Sequence, residues 1–176
     1  MATRPLVEEI LELIPPPGEG GGGRPGGLDR SVECRVASDP LEVRDAQDLR
    51  VRVFCGEQGV PREAELDGLD AEAIHLVALD GDRVIGTCRL QYVPSGFRLG
   101  RMAVHIDRRR AGVGSALLAV AETEAARWGA REMVLHAQRA AQDFYSGAGY
   151  AAEGGSFFEE GIGHVRMRKE LTEPGA

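Results

Sequence analysis

The stretch Leu99-Gly100-Arg101-Met102-Ala103-Val104-His105-Ile106, followed by Arg109-Arg110-Ala111-Gly112-Val113-Gly114 and the segment Ser115 to Trp128, decides the fold. The first part is apolar around Met102, Ala103 and Val104 and reads as a buried strand. The last part is rich in Ala, Leu and Glu and reads as a helix. Between them lies a basic, glycine-rich turn. A strand, such a turn and a helix together make an anion cradle. Glycine lets the backbone approach closely, the first amides of the helix have no partner inside it, and the helix dipole favours negative charge there. A phosphate-bearing ligand is therefore expected at Arg109 to Gly114.

Upstream, Val32, Cys34 and Val36 alternate as a strand. Asp39-Pro40 reads as a helix start, an N-cap followed by Pro at the first helical position, with the helix running to about Glu57. Gly59 and Pro61 end it, and residues 61–72 are acidic and turn-rich. Ile74 to Leu79 and Arg83 to Tyr92 form a hairpin around Asp80-Gly81-Asp82. Pro94-Ser95-Gly96 leads into a third strand, Phe97 to Val104. Downstream, Met133 to His136 reads as a strand, Ala140 to Ser146 as a short helix, and residues 150–158 and 164–170 as two closing strands. The order β-α-βββ-α-β-α-ββ predicts an α+β domain whose mixed, mostly antiparallel sheet has about six or seven strands flanked by helices.

The chain has 176 residues, which suits one domain plus a tail. Residues 31–176 read as the domain. Residues 1–30 read as a tail in which Leu6, Val7, Ile10, Leu11 and Ile14 recur at helical spacing, Pro15-Pro16-Pro17 stops the helix, and a Gly-rich linker follows. A net charge of −7 argues against a general nucleic-acid binder. No apolar run is long enough to span a bilayer and no secretory signal is present, so a cytoplasmic protein without membrane partners is expected. Cys34, Cys55 and Cys88 show neither a disulfide framework nor metal-ligand spacing. His136, His164 and Cys55 lack the spacing of a metal site, and no metal is expected.

Three phosphate-binding patterns compete for the turn. A mononucleotide P-loop needs a Gly-Lys pair, which is absent. A dinucleotide fold needs a third glycine where Leu117 stands, and parallel strands where a meander is expected. The third pattern, Arg109-x-x-Gly112-x-Gly114 after an apolar strand and opening a helix, resembles the acyl-CoA-binding motif of the GNAT acetyltransferases. Phe144-Tyr145-Ser146-Gly147-Ala148-Gly149-Tyr150 resembles a second signature of that family. The segment Val53 to Pro61, with Asp67, Ala73-Ile74-His75, Leu135-His136-Ala137-Gln138 and Gly161-Ile162-Gly163-His164, resembles its ElaA/YjcF-like subgroup. The resemblance covers about residues 31–170, with its motifs in the expected order.

The resemblance implies a GNAT fold and direct transfer of an acetyl group from acetyl-CoA, as co-substrate, to the amine of a small molecule or peptide. The backbone of Arg109, Arg110, Ala111, Gly112, Val113 and Gly114 would hold the pyrophosphate, with Ser115 adding a hydroxyl. Met102, Ala103 and Val104 would pair with the pantetheine arm like an added strand. Gln138 stands where the family often has a CoA-contacting Asn. Tyr145 would be the general acid beside the thioester sulfur, a phenol that stays protonated near neutral pH. The strand Phe97 to Val104 carries Arg98 and Arg101 where many relatives have a carboxylate base. The base candidates are then Glu57, His75, His136, His164, Glu159 and Glu160, of which His164, His136 and Glu57 are singled out. An imidazole suits deprotonation near neutral pH, and Glu57 is cast as binding or orienting the acceptor amine. Two rival readings are a CoA-binding module without catalysis and a transferase of a longer acyl group; Tyr145 favours an enzyme. The family often dimerises, and the N-terminal helix is a candidate mediator of a homodimer.

Overall fold

The computed structural model describes residues 31–172. The expected helix over residues 6–14 and the linker after it lie outside the described residues.

Seven strands form one sheet in the order β1-β2-β3-β4-β5-β7-β6. They are β1 (Val32–Val36), β2 (Ile74–Asp80), β3 (Arg83–Val93), β4 (Gly96–Val104), β5 (Glu132–Gln138), β6 (Ala151–Glu159) and β7 (Ile162–Glu170). The helices are α1 (Pro40–Arg50), α2 (Arg62–Glu65), α3 (Val113–Arg127) and α4 (Gln142–Gly147). Apart from α2 and the short π and 3-10 turns, the order is the one the sequence predicts. Among the described residues only β4 and β5 pair in parallel, because α3 carries the chain back across the sheet between them.

Asp39 caps α1, its carboxylate accepting from the amides of Leu41 and Glu42 at 2.8 and 3.0 Å, with Pro40 in the first turn. The chain stays helical to Glu57 as expected, but from Val51 it widens into a π-helix. The Gln58 amide donates to the Val53 carbonyl five residues back, and Val53 and Phe54 are buried. The looser turn lets both apolar side chains reach the core while Glu57 and Gln58 turn toward the end of the sheet. Helix α2 inside the acidic 61–72 segment was not expected. It is one turn long, below what periodicity can detect.

The two sheet faces are told apart at β3. On one, Gly86 lies under Val113 and Leu117 of α3. On the other, Arg89 and α1's Arg50 share the carboxylate of Asp70. Alternation along β3 therefore puts α1 and α2 on one face and α3 on the other. Lys169 of β7 reaches Glu122 of α3 and lines a cavity with Phe144, which places α4 on the α3 face.

Two irregularities shape the centre. Between β3 and β4, Thr87 faces Ala103 but Arg89 faces Gly100, so β4 holds one extra residue, a β-bulge. Arg101 sits in it with φ at 52°. Next to the bulge, β4 and β5 pair only from Phe97/Met133 to Leu99/Leu135. Beyond that point β4 stays with β3, while His136 and Gln138 pair with β7. The two parallel strands part, and the sheet opens between Gly100–Val104 on one side and His136–Gln138 on the other.

Of the cysteines, Cys88 is buried, and Cys34 and Cys55 are half-buried and free.

Candidate active site

At the end of β4, Met102, Ala103 and Val104 are fully buried. A 3-10 turn, Ile106–Arg108, then leads to the glycine-rich turn. Arg110 and Gly112 both adopt left-handed backbone, at φ 64° and 78°. Gly112 is the N-cap of α3, which has no side-chain cap. The amides opening α3 are thus left to an outside acceptor, at the positive end of a helix of 15 residues. Arg110, Ala111 and Ser115 are exposed, whereas Val113 and Gly114 are buried. Arg109 is turned inward. Its Nε donates to the Val104 carbonyl at 3.0 Å and its Nη2 meets the Glu57 carboxylate at 2.8 Å. Its charge ties the end of β4 to the end of the π-helix. Arg108 pairs with Asp80.

Ser115 also borders a cavity of about 470 Å³ between α3 and α4, with Phe144 and Asp143 on its far wall. Tyr145 follows and is fully buried, edge-on to Phe144 and to Tyr150 with ring centroids 4.9 and 5.9 Å apart.

The remaining candidates lie on the α1 face. Arg98 pairs with Val134 and bonds Gln91, which shares its face with Arg89; the even residues of β5 therefore face α1. Gln138 confirms this, donating to the side-chain oxygen of Gln58 at 2.9 Å. His136 lies two residues earlier, about a fifth exposed, with Nδ1 3.1 Å from a Glu159 oxygen. Phe157 stands edge-on to His136 at 5.0 Å and stacks on His164 at 6.0 Å. His164 is fully buried; its Nδ1 donates to the Ile162 carbonyl at 2.9 Å, and its Nε2 is buried without a hydrogen-bond partner among the described residues. The β6–β7 hairpin sets this register. Glu160 and Gly161 both take positive φ, 47° and 76°, in a two-residue turn that pairs Glu159 with Ile162 and Phe157 with His164. His75 is instead a core residue, its Nε2 bonded to the Asp70 carbonyl at 2.9 Å.

A charged group surrounds the bulge; the motifs single out Asp67 and the strand reading notes Arg101, but nothing in the sequence joins them to Arg50, Arg89, Glu65 and Asp70. Arg50, Arg89 and Arg101 are fully buried and interleave with Glu65, Asp67 and Asp70. Arg101 meets Glu65 at 2.8 Å and Asp67 at 3.1 Å, Arg89 meets Asp67 at 2.8 Å and Asp70 at 2.9 Å, and Arg50 meets Glu65 at 2.5 Å and Asp70 at 2.8 Å. Burial alone would raise Asp67 and Asp70, but the hydrogen bonds and charges of the arginines override it and hold both below the usual carboxylate range. Glu65, more deeply buried, is pushed up by desolvation against the pull of Arg50 and Arg101. The network rivets the 61–72 segment to the strand that carries Met102 to Val104. Its trace in the sequence is Arg89 and Arg101, each set among apolar residues in the middle of a strand.

The chain thus brings Glu57 to Arg109 and Gln138 to Gln58 across the opening. It sets the cradle and Tyr145 apart from the imidazoles.

Comparison with known proteins matches residues 42–171 to the acetyltransferase (GNAT) domain family. The uncharacterized N-acetyltransferase YjcF of Bacillus subtilis is 35% identical over 140 residues, covering 79% of this chain and all of YjcF. A crystal structure of an acyl-CoA N-acyltransferase from Pseudomonas aeruginosa superposes with a TM-score of 0.69 at 27% identity, over 78% of this chain and 97% of that one. Escherichia coli ElaA shares the fold, with a TM-score of 0.71 at 23% identity over 79% of this chain and 99% of its own. With the parted strands, the left-handed glycine opening α3 and a match spanning most of its length, the chain belongs to the GNAT acetyltransferases and is an acyltransferase.

Proposed function

We propose that the protein transfers an acetyl group from acetyl-CoA to an amine, with the two substrates meeting in the opening between β4 and β5. Family membership supports an acyl-CoA donor. The residues present fit one. The uncapped first turn of α3 and the left-handed Gly112 form a cradle for a pyrophosphate. Beyond Leu99 the β4 backbone is free of β5, which leaves an edge for a pantetheine arm. Met102, Ala103 and Val104 would supply that edge; Arg109 to Gly114, with Ser115, would hold the phosphates.

The observation that carries the reading is the opening itself, with the cradle and Tyr145 toward the α3 and α4 face and His136, His164 and Gln138 toward the α1 face. A donor and an acceptor reaching the opening from opposite faces would meet without competing for space. Bound acetyl-CoA supplies an activated acyl group. The chain's part is to bind it, to take a proton from the amine and to return one to the leaving sulfur, a role we give to the Tyr145 hydroxyl. The free thiols of Cys34 and Cys55 fit a reducing compartment such as the cytoplasm.

Incubation with acetyl-CoA and a panel of small amines, polyamines and peptide amines tests this, following free thiol and the mass of the acceptor. Turnover and an added acetyl mass are expected. Tyr145→Phe should lower kcat by about 100-fold while CoA affinity stays within twofold. Tight CoA binding without transfer to any amine would reduce the protein to a CoA-binding module.

A further inference from the structure

We infer that His136 is the general base of this transfer and that Glu159 is the residue that positions it. The inference rests on the acetyltransferase reading above and names the base that acts with Tyr145 from the acceptor side.

Geometry separates the candidates. Glu57 is held by Arg109 at 2.8–3.0 Å, so its carboxylate serves the turn. His164 is fully buried under the Phe157 ring. His136 stands on β5 just past the point where β4 leaves it, and remains partly open to solvent. A carboxylate can only accept at the 3.1 Å contact with Glu159, so the His136 proton sits on Nδ1. Nε2, at the far corner of the ring, then carries the lone pair a base needs. Phe157, edge-on at 5.0 Å, prevents the ring from swinging away. The arrangement is an imidazole on β5 and, at the end of β6, the carboxylate that orients it.

Other charges facing His136 are already committed. Arg166, opposite it on β7, pairs with Glu153 at 3.7 Å. Arg168, one step further, pairs with Glu132 and Glu153 at 2.9 Å. Arg98 on β4 bonds Gln91. From the helical side come Glu57, tied to Arg109, and the neutral Gln58, while His164 is the next imidazole on β7. Glu159 is the group in hydrogen-bonding contact with the ring.

In the step, the amine nitrogen forms the new bond to the acyl carbon as the carbon–sulfur bond breaks. The proton lost by nitrogen goes to His136 Nε2, and the departing sulfur takes one from Tyr145. The products are an amide and free CoA, with no redox change; His136 then gives its proton to solvent and Tyr145 takes one back, which restores both side chains.

Two substitutions test this in the whole chain, with acetyl-CoA and with tyramine, spermidine or a lysine peptide as acceptor. His136→Gln should lower kcat by about 100-fold and remove the rising limb of the pH profile, with CoA affinity within twofold. Glu159→Gln should lower kcat by about tenfold and move that limb to lower pH, since the imidazolium loses its carboxylate. In the substrate-free protein, long-range nitrogen–proton spectra should show His136 as the Nδ1–H tautomer, and a tautomer mixture in Glu159→Gln. Retention of the limb and of half the turnover by His136→Gln would overturn the base assignment. An unchanged tautomer and limb in Glu159→Gln would overturn the positioning role. Absence of thiol release by the wild type with every amine would remove the transferase reading and the base role with it, while the spectra would still decide the Glu159 contact.

Discussion

Gly86 is the place where the sheet and the cradle touch, and Gly86→Ala measures how closely they are coupled. A Cβ built there lies 2.8 Å from Val113 Cγ1, 3.0 Å from Leu117 Cδ1 and 3.3 Å from Ala78 Cβ. Ordinary contact begins near 3.4 Å, so Val113 must retreat by about 0.6 Å and Leu117 by about 0.4 Å. Leu117 can adjust its tip. Val113 is β-branched, nearly confined to one rotamer in a helix, and opens α3, so the helix must lift with it. Overpacking of this kind costs about 1–3 kcal/mol. Restricting the unfolded chain returns about 0.4–1 kcal/mol. The difference spans roughly 0–2.6 kcal/mol, with a middle value of about 1.3 kcal/mol that corresponds to a fall in Tm of roughly 3–5 °C for a domain of this size. The amides that lift are those proposed to hold the pyrophosphate, so CoA should bind about tenfold more weakly, a loss of about 1.4 kcal/mol. Thermal melts and calorimetric titration with CoA read both quantities. Gly155→Ala, with open space around the new methyl and ordinary φ, is the control and should match wild type. A Gly86→Ala protein that melts with wild type and binds CoA equally well would refute the coupling.

Three further outcomes are expected. Gly112→Val places a β-branched residue at φ 78°, costing about 1–2 kcal/mol and narrowing the cradle; calorimetry should show CoA affinity falling far more than it does for Ala111→Val in the exposed turn beside it. Arg101→Met strips Glu65 and Asp67 of a buried partner and should cost about 3–5 kcal/mol in urea denaturation; equal midpoints would show that the network does not hold the 61–72 segment. Asp67 and Asp70 have carboxyls held below their unfolded range, so the stability they contribute is complete above about pH 4 and is lost as pH falls through their folded values. Asp70→Asn should therefore be less stable than wild type at pH 7, with the gap closing on acidification; a constant gap down to pH 2 would contradict the linkage.

Much of the fold is legible because its signals are local. The Asp39-Pro40 start of α1, the alternation of β1, the tight turn at Gly81 and the glycine-rich opening of α3 each depend on a few adjacent residues, and each appears where the sequence puts it. The cradle is legible for the same reason. The π-helix at Val51–Glu57 and the single turn of α2 were not, since both are shaped by what they pack against. The acceptor side depends on contacts across long sequence separations. Glu159 reaches His136 across 23 residues, and Gln58 reaches Gln138 across 80.

The sequence by itself determined the family, the order of the strands and longer helices, and the glycine turn that opens α3, because glycine conformations, caps and strand alternation are written in neighbouring residues. Only the tertiary structure decided which imidazole stands open beside the parted strands, which carboxylate holds it, and that Arg101 is committed to Glu65 and Asp67. Those relations are set by strand register, a bulge and the burial of charge, and each brings into contact residues that the linear chain keeps far apart.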